Sequence, residues 1–565
     1  MLKDIDISVQ NKVIMQKRLW SDQELALAKC FWFDINLEAS TITADMRMTT
    51  KTSITEFLNI AFPRVMTNPI EEGFKNKVLA KIDYDINSMR NEFNATTLKN
   101  LGYEDKLYAH QSEALFEMRN KKANLLAFEM GTGKTKTAAS ISKMFKIKRT
   151  LIICPSIVKW NWFNDLTDHI TGFNQMYFTI LDSSARKTMK AFQERFVIVN
   201  LESAIKNMEH ILSLPIGHII VDECHQIKNF NTKKFKIVKH IMDKNPDARI
   251  TLLSGTPIKN RVNDMFAYLK IIGHPLGANY TQFLREYTIS QKGRGGDKIT
   301  GAKNTNDLWV KMSNFMLRKR LDDCVDLPDK IYNRIYFELE DYQKEYDEAV
   351  YEALENSGKT QLSSSVHTIN IVTAKSKLKG IIELAENILE NGEKVTIFSS
   401  YKEPLRILEQ HFKDKCVLID GSVPSHERGV LVEKFKNDDE CCVFLGNMAA
   451  AGVGINLVSS SNMILTNFPL TPSELYQTIA RLHRIGQTKK VNIWYTICKD
   501  TIDENLFNLI AQKAMDANAV VDNLTVDTEY SNIQDVLFKE LREKYNIPEV
   551  KNEAAEVIVS EQKED

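Results

Sequence analysis

The chain reads as an α/β protein with two parallel-sheet lobes behind a small N-terminal α+β region, and three observations predict this. Short apolar runs alternate with helical patterns from 96 to 322 and again from 323 to 515, the order that covers a parallel sheet with helices. The segment Phe128 to Thr137, FEMGTGKTKT, follows the apolar run Asn124-Leu125-Leu126-Ala127 and precedes an Ala/Ile/Met-rich helical pattern, giving strand, glycine loop and helix. In HIIVDECH, two acids close the short buried-strand run Ile219-Ile220-Val221, at the strand end where open α/β sheets place their ligands.

In chain order, residues 1–95 mix strand-like FWFDINLEAS with helix-like SITEFLNIAF and are expected to form an accessory domain without an interpretable motif. Lobe one, 96–322, alternates LLAFEM, RTLIICP, FVIVN, HIIVDE and RITLLSGTP with helical segments. Lobe two, 323–515, runs through helix IIELAENILE, strand KVTIFSS and helix EPLRILEQHF to the strands CVLIDG, CCVFLGN, MILTNFP and VNIWYTI. Residues 516–565 hold one amphipathic stretch, NIQDVLFKELREKY, and an acidic tail.

The glycine loop has phosphate-binding chemistry. Gly131 and Gly133 let backbone N–H groups turn inward, the following helix presents its positive end, and Lys134 adds a full charge. Met130, Thr132 and Lys136 complete the loop and helix start, and the Thr135 hydroxyl is placed for a magnesium ion. A nucleoside triphosphate is the expected ligand. The full spacing of such loops asks for a small residue where this chain has Phe128, so the loop needs a second signal. Asp222 and Glu223 supply it: Asp222 can hold magnesium through its water shell, while Glu223 orients and deprotonates the attacking water. An isolated Asp-Glu pair could equally cap the next helix, but beside a lysine loop the catalytic reading prevails.

Composition sets the limits. The 565 residues are 43% hydrophobic and 26% charged, enough for two or three globular domains without disordered bias. Lys plus Arg and Asp plus Glu each total 74, so a polyanion must be held by local patches. Eight cysteines without a C-x-x-C pair read as thiols in a reducing compartment, and no histidine is assigned to a metal. No run reaches the roughly 18 apolar residues of a spanning helix, and the start, MLKDIDISVQNK, lacks a secretory apolar core. A cytoplasmic protein of prokaryotic or viral origin, without a membrane role, is expected.

The sharpest feature of the second lobe is TPSELYQTIARLHRIGQ. Thr471, Pro472 and Glu474 fit a capping box with proline at the first helical position. Gln477, Arg481 and Arg484 then share one helical face, and Gly486 ends the helix. Two guanidiniums on one face suit a phosphate delivered from outside that lobe, whereas paired arginines alone are ordinarily solvated surface charge.

Together MGTGKT, DECH, LLSGTPIKNR, AAGVGINL and QTIARLHRIGQ stand in the order and spacing of a superfamily-two helicase core. The ending RLHRIGQ, with the bridge MLRKRLDDCVDLPDKIYNRIYFELEDYQKEY, closely resembles the Swi/Snf-related ATPases, over about residues 100 to 515. GAKNTNDLWVKMSNFMLRKR resembles the annealing-helicase-like branch. The resemblance implies two RecA-like lobes and a monomeric motor that hydrolyses ATP while tracking duplex or branched DNA. It also implies that Gln111 reads adenine, that Ser254, Gly255 and Thr256 couple hydrolysis to lobe movement, and that Gly454 and Asn456 sense DNA and nucleotide. Arg481 and Arg484 resemble the arginine fingers that complete the site when the lobes close. Departures are Phe128 for an acidic residue, Thr132 for leucine and Cys224 for alanine.

Candidate DNA contacts follow strands: Pro155, Asn200, Ser399 and Gly421, with the basic-aromatic pair Lys159 and Trp160. Each could also be an ordinary turn, and Trp160 and Trp162 could pack the core. The loop QKGRGGDKITGAK is expected to be flexible and basic. Two alternatives stay open: a true helicase acting on an RNA–DNA hybrid or single strand, and a nucleotide-gated DNA clamp.

Overall fold

The computed structural model describes residues 5–8, 12–17, 20–31, 33–46, 51–62, 72–101, 107–169, 178–181, 194–255, 262–293, 296–355, 362–451, 455–510 and 543–544. The expected contacts Thr256 and Gly454, and nearly all of 516–565, lie outside these residues. The chain divides into two compact units between Asp326 and Leu327, a few residues beyond the expected 322.

The first unit opens with strands β1 (Ile5–Ser8), β2 (Lys12–Gln16), β3 (Asp34–Asn36) and β4 (Thr41–Asp45), an antiparallel sheet in the order β1-β2-β4-β3. Helices Asp22–Cys30 and Lys51–Ala61 cover it, and the 30-residue helix Glu72–Leu101 follows. Ser21 and Glu24 form a reciprocal capping box at the first of these helices. The boundary expected at residue 95 falls inside helix Glu72–Leu101. Its core of Phe31, Phe57, Ile82 and other apolar side chains also takes in Phe116 from the next helix, Ala109–Met118.

Beyond it stands a seven-stranded parallel sheet of β5 (Ala123–Phe128), β6 (Thr150–Ile153), β7 (Phe178–Leu181), β8 (Phe196–Val199), β9 (His218–Val221), β10 (Arg249–Leu253) and β13 (Met316–Lys319). Their order is β13-β5-β10-β9-β6-β8-β7. Every residue of β6, β8 and β9 is buried, which is why these strands read as continuous apolar runs instead of alternating ones. Because all pairs are parallel, the loops after β5, β6, β8, β9 and β10 emerge along one edge. The segment expected to be a loose basic loop is an antiparallel hairpin, β11 (Thr288–Gly293) with β12 (Gly296–Ala302), with a register shift between Ile289 and Ser290. Backbone pairing closes it where composition alone suggested irregular chain.

The second unit is a six-stranded parallel sheet of β14 (Lys330–Phe337), β15 (Val395–Ser399), β16 (Cys416–Ile419), β17 (Val443–Asn447), β18 (Asn462–Leu465) and β19 (Val491–Cys498), in the order β14-β19-β18-β15-β17-β16. Helices Leu378–Glu390 and Lys402–Phe412 pack Ile381, Ile388, Leu405 and Leu408 against Val395, Ile397 and Leu445. No helix among the described residues is long and apolar enough to cross a membrane. All eight cysteines are free thiols, and burial raises Cys30 and Cys416 to about 11.

Candidate active site

The loop after β5 is built around two glycines in the left-handed region, Gly131 at φ 83° and Gly133 at φ 79°. Gly133 caps helix Lys134–Met144, and a Cβ there would stand 2.2 Å from Gln111 Nε2, so glycine is required by both conformation and space. Gln111 is buried against the loop: its Nε2 donates to the Thr132 carbonyl at 3.3 Å, while its Oε1 accepts from Tyr108 N at 3.1 Å. His110 Nε2 stands 2.8 Å from the same carbonyl, a contact no sequence signal indicated. Thr132, the residue in place of leucine, is fully buried and its hydroxyl donates to the Glu129 carbonyl at 2.7 Å. Phe128 is likewise buried, edge-on to His110, so the missing acid is replaced by packing at the end of β5. Glu129 is tied to β13, accepting from Arg318 Nη2 at 2.9 Å and Leu321 N at 2.9 Å.

Lys134 reaches back over the loop, its Nζ donating to the carbonyls of Phe128 at 3.0 Å and Glu129 at 3.1 Å. Thr135 and Lys136 are half-buried in the first helical turn, and Met130 is half-buried on the loop. Ser254 is buried at the end of β10 with its N–H on the Leu126 carbonyl at 3.1 Å. A Cβ on Gly255 would lie 3.4 Å from Met130 Cγ and 3.7 Å from Lys134 Nζ, so this turn lies directly against the loop.

Asp222 and Glu223 follow β9. Asp222 Oδ2 accepts from Trp162 Nε1 at 2.8 Å, and Oδ1 accepts from Glu223 N at 2.9 Å. Burial pushes the Asp222 carboxyl up to about 6 and the adjacent Glu223 charge adds to it; the Trp162 hydrogen bond and the Lys134 charge oppose them. Glu223 is itself buried and sits at φ 48°, ψ 53°, a left-handed conformation sparsely populated by residues with a side chain. Its Oε2 stands 3.1 Å from His225 Nδ1. Lobe one thus brings the loop, the acid pair and the Ser254-Gly255 turn to one sheet edge.

In the second unit Pro472 takes the first position of helix Pro472–Ile479, but Thr471 makes no side-chain cap and the expected box is absent. The Glu474 N–H bonds the Thr471 carbonyl at 3.2 Å instead of its hydroxyl. The helix also stops at Ile479, so Arg481 and Arg484 stand beyond it in turns rather than on one continuous helical face. They still converge. Arg481 Nη1 and Arg484 Nη1 donate to the Ile455 carbonyl at 3.5 and 3.2 Å, and Arg481 Nε donates to the Gln477 carbonyl at 3.1 Å. That links the arginine segment to Ile455, next to exposed Asn456.

The expected DNA contacts separate by exposure. Trp160 is 39% exposed and Gly421 is open, whereas Pro155 and Asn200 are half-buried, with Asn200 Nδ2 donating to Glu202 at 2.9 Å. Lys159 and Ser399 are corrected: both are interior. The Lys159 ammonium donates to the Leu181 carbonyl at 3.0 Å beneath β7, and the Ser399 hydroxyl donates to Asn467 Oδ1 at 3.0 Å. Trp162 is also interior, but its N–H is on Asp222, which core packing alone would not provide.

The SNF2-related domain model matches residues 90–391, more than half of the chain, and the helicase conserved C-terminal domain matches 376–486. A Caenorhabditis elegans homolog of SWI/SNF-related matrix-associated actin-dependent regulator of chromatin subfamily A-like protein 1 is 29% identical over 434 residues, 72% of this chain and 61% of that protein. The bovine DNA annealing helicase and endonuclease ZRANB3 is 26% identical, over 72% of this chain and 40% of its own length. An uncharacterized ATP-dependent helicase of Mycoplasma genitalium is 23% identical over 89% of this chain and 50% of its length. The chain therefore matches between 40% and 61% of the length of these relatives. Among solved structures, the Sulfolobus solfataricus SWI2/SNF2 ATPase core in complex with dsDNA is similar at 22% identity and TM-score 0.36, covering 78% of this chain and 97% of that one. Because the SNF2-related domain model covers more than half of the chain and the helicase C-terminal model follows it, over two parallel-sheet RecA-like lobes in chain order, the chain belongs to the SNF2-related family of helicase-type ATPases.

Proposed function

We propose that the chain is an ATP-dependent motor that couples hydrolysis to movement on duplex or branched DNA, reannealing strands, remodelling junctions or displacing bound protein. The observation carrying this reading is the convergence of Lys134, Gly255 and the Asp222–Glu223 pair at one edge of a parallel sheet, within a chain of this family. Lys134 and the loop N–H groups bind the phosphates, and Gln111 reads adenine. Glu223 orients the attacking water and takes its proton, while Arg481 and Arg484 supply charge against the transferring phosphoryl group. Ser254, Gly255, Thr256 and Gln477 relay the step to the rest of the motor.

Thr135 and Asp222 would hold magnesium, which neutralises phosphate charge when bound. The donor set fits: a hydroxyl and a carboxylate are hard oxygen ligands. Among the described residues no cluster of three or more His, Cys, Asp or Glu could hold a metal alone, so phosphates and waters would fill the remaining positions. DNA as substrate is supported by the annealing activity in the name of the bovine relative. Trp160, Gly421, Pro155 and Asn200 are the proposed contacts, to phosphates and groove shape rather than base identity. The Lys, Ile and Asn richness supports a prokaryotic or viral source, and the segment GAKNTNDLWVKMSNFMLRKR supports the annealing-helicase-like branch.

The test compares ATP turnover with duplex, forked and single-stranded DNA and with RNA. Stimulation greatest with duplex or forked DNA is expected. Preference for RNA–DNA hybrid or single strands would favour the unwinding helicase, and turnover indifferent to all nucleic acids would overturn the motor.

A further inference from the structure

Trp162 lies in helix Lys159–His169 and is 1% exposed. A buried indole needs an acceptor for its N–H, and here the acceptor is the carboxylate of Asp222, at 2.8 Å. A phenylalanine would fill such a core position without that demand. The other carboxylate oxygen accepts from Glu223 N at 2.9 Å, so donors on both oxygens fix the plane of the group. The indole is donor only, and its helix is anchored where Lys159 reaches the Leu181 carbonyl at 3.0 Å. Partners that hold a metal-binding carboxylate in place tune the metal as strongly as many ligands do.

We propose that Trp162 is a positioning residue, holding the Asp222 carboxylate in the orientation that receives magnesium with the nucleotide. This rests on the assignment of Asp222 to magnesium made above. It also places helix Lys159–His169, which carries the exposed Trp160, in direct contact with the metal-holding acid.

Two substitutions separate positioning from packing. Trp162→Phe keeps much of the ring volume and removes the N–H. Trp162→His places an imidazole over the pyrrole half of the indole, with Nε2 where Nε1 stood, and loses the larger ring. The measurement is the magnesium concentration giving half-maximal binding of a fluorescent ADP analogue to the full chain at pH 8, where imidazole is neutral, together with the thermal midpoint. Trp162→Phe is expected to raise that concentration roughly 10- to 100-fold. Trp162→His is expected to raise it less, although its midpoint falls further. A wild-type requirement in Trp162→Phe, or a larger rise in Trp162→His than in Trp162→Phe, overturns the proposal; should the His variant not fold, the Phe variant decides alone. Asp222→Asn, measured alongside, distinguishes the premise: if it leaves the requirement unchanged, the magnesium assignment itself fails. If it raises the requirement and Trp162→Phe does not, only the role of Trp162 falls.

Discussion

Glu223 and Gly133 show how closely chemistry and backbone strain coincide at the level of single residues. Glu223 adopts φ 48° two residues past the end of β9, and its carboxylate meets His225 where that of neighbouring Asp222 meets Trp162. Glu223→Gln is expected to bind nucleotide and to lose turnover by two or more orders of magnitude, read by single-turnover hydrolysis; Lys134→Ala should lose both. Arg484→Ala should keep nucleotide affinity and lose turnover, which equilibrium binding and steady-state rates together will check. For Gly133→Ala the left-handed conformation alone costs about 1–2 kcal/mol, and the added Cβ would meet Gln111 Nε2 at 2.2 Å. Nucleotide affinity and the thermal midpoint should therefore both fall; a midpoint equal to wild type would show that the loop relaxes freely. Lys134, Asp222 and Glu223 were legible because their chemistry demands fixed spacing. His110, Glu129 and Trp162 were not, since each acts through a partner distant in sequence: Thr132, Arg318 and Asp222 respectively.

Between elements, the N-terminal region and lobe one are joined by buried polar contacts as well as apolar packing. Asn314 Nδ2 donates to the Phe31 carbonyl at 3.0 Å, His274 Nε2 stands 3.2 Å from the Cys30 carbonyl, and the Ser53 and Ser313 hydroxyls are 2.9 Å apart. Replacing Asn314 by Leu should cost about 1–3 kcal/mol, because the Phe31 carbonyl is left buried without its donor. Thermal denaturation of the full chain measures this, and an unchanged midpoint would mean water replaces the amide. Removal of residues 1–95 cuts through helix Glu72–Leu101 and uncovers Phe116, so the truncated chain is expected to aggregate. In the second unit, Lys377 and Asp503 form a fully buried ion pair that also engages the Thr496 carbonyl and Cys498 N–H. Alternation of strands and helices could be read from periodicity, but the continuous helix across residue 95 and the early stop at Ile479 could not. Tertiary packing, not local propensity, sets where these helices end.

At the scale of the whole molecule, acid sensitivity follows from a histidine beneath the nucleotide-binding sheet. His218 lies between the Ser142 hydroxyl at 2.7 Å and the Thr251 hydroxyl at 2.9 Å, and burial, with the Arg249 charge adding, depresses it to about 3. The unfolded chain, with histidine near its ordinary value of about 6.5, binds this proton more readily. Stability is therefore intact above about pH 6.5 and falls as the pH drops toward 3, by roughly 1.4 kcal/mol per unit within that window. Denaturant midpoints measured from pH 7 to 5 should decline, and less so in His218→Gln; parallel declines would remove His218 as the cause. DNA affinity should fall steeply as salt rises, because a chain of zero formal net charge can hold phosphates only through local cationic patches. A salt-independent interaction would contradict phosphate contact. By itself the sequence determined the two-sheet α/β class and singled out the glycine loop and the acid pair, because hydrophobic period and fixed motif spacing are local properties of a chain. Only the tertiary structure decided that Lys159 and Ser399 turn inward, that the arginines meet at the Ile455 carbonyl, and that Trp162 grips Asp222. Those outcomes depend on which distant backbone or side chain satisfies each buried polar group, and residue type does not encode that choice.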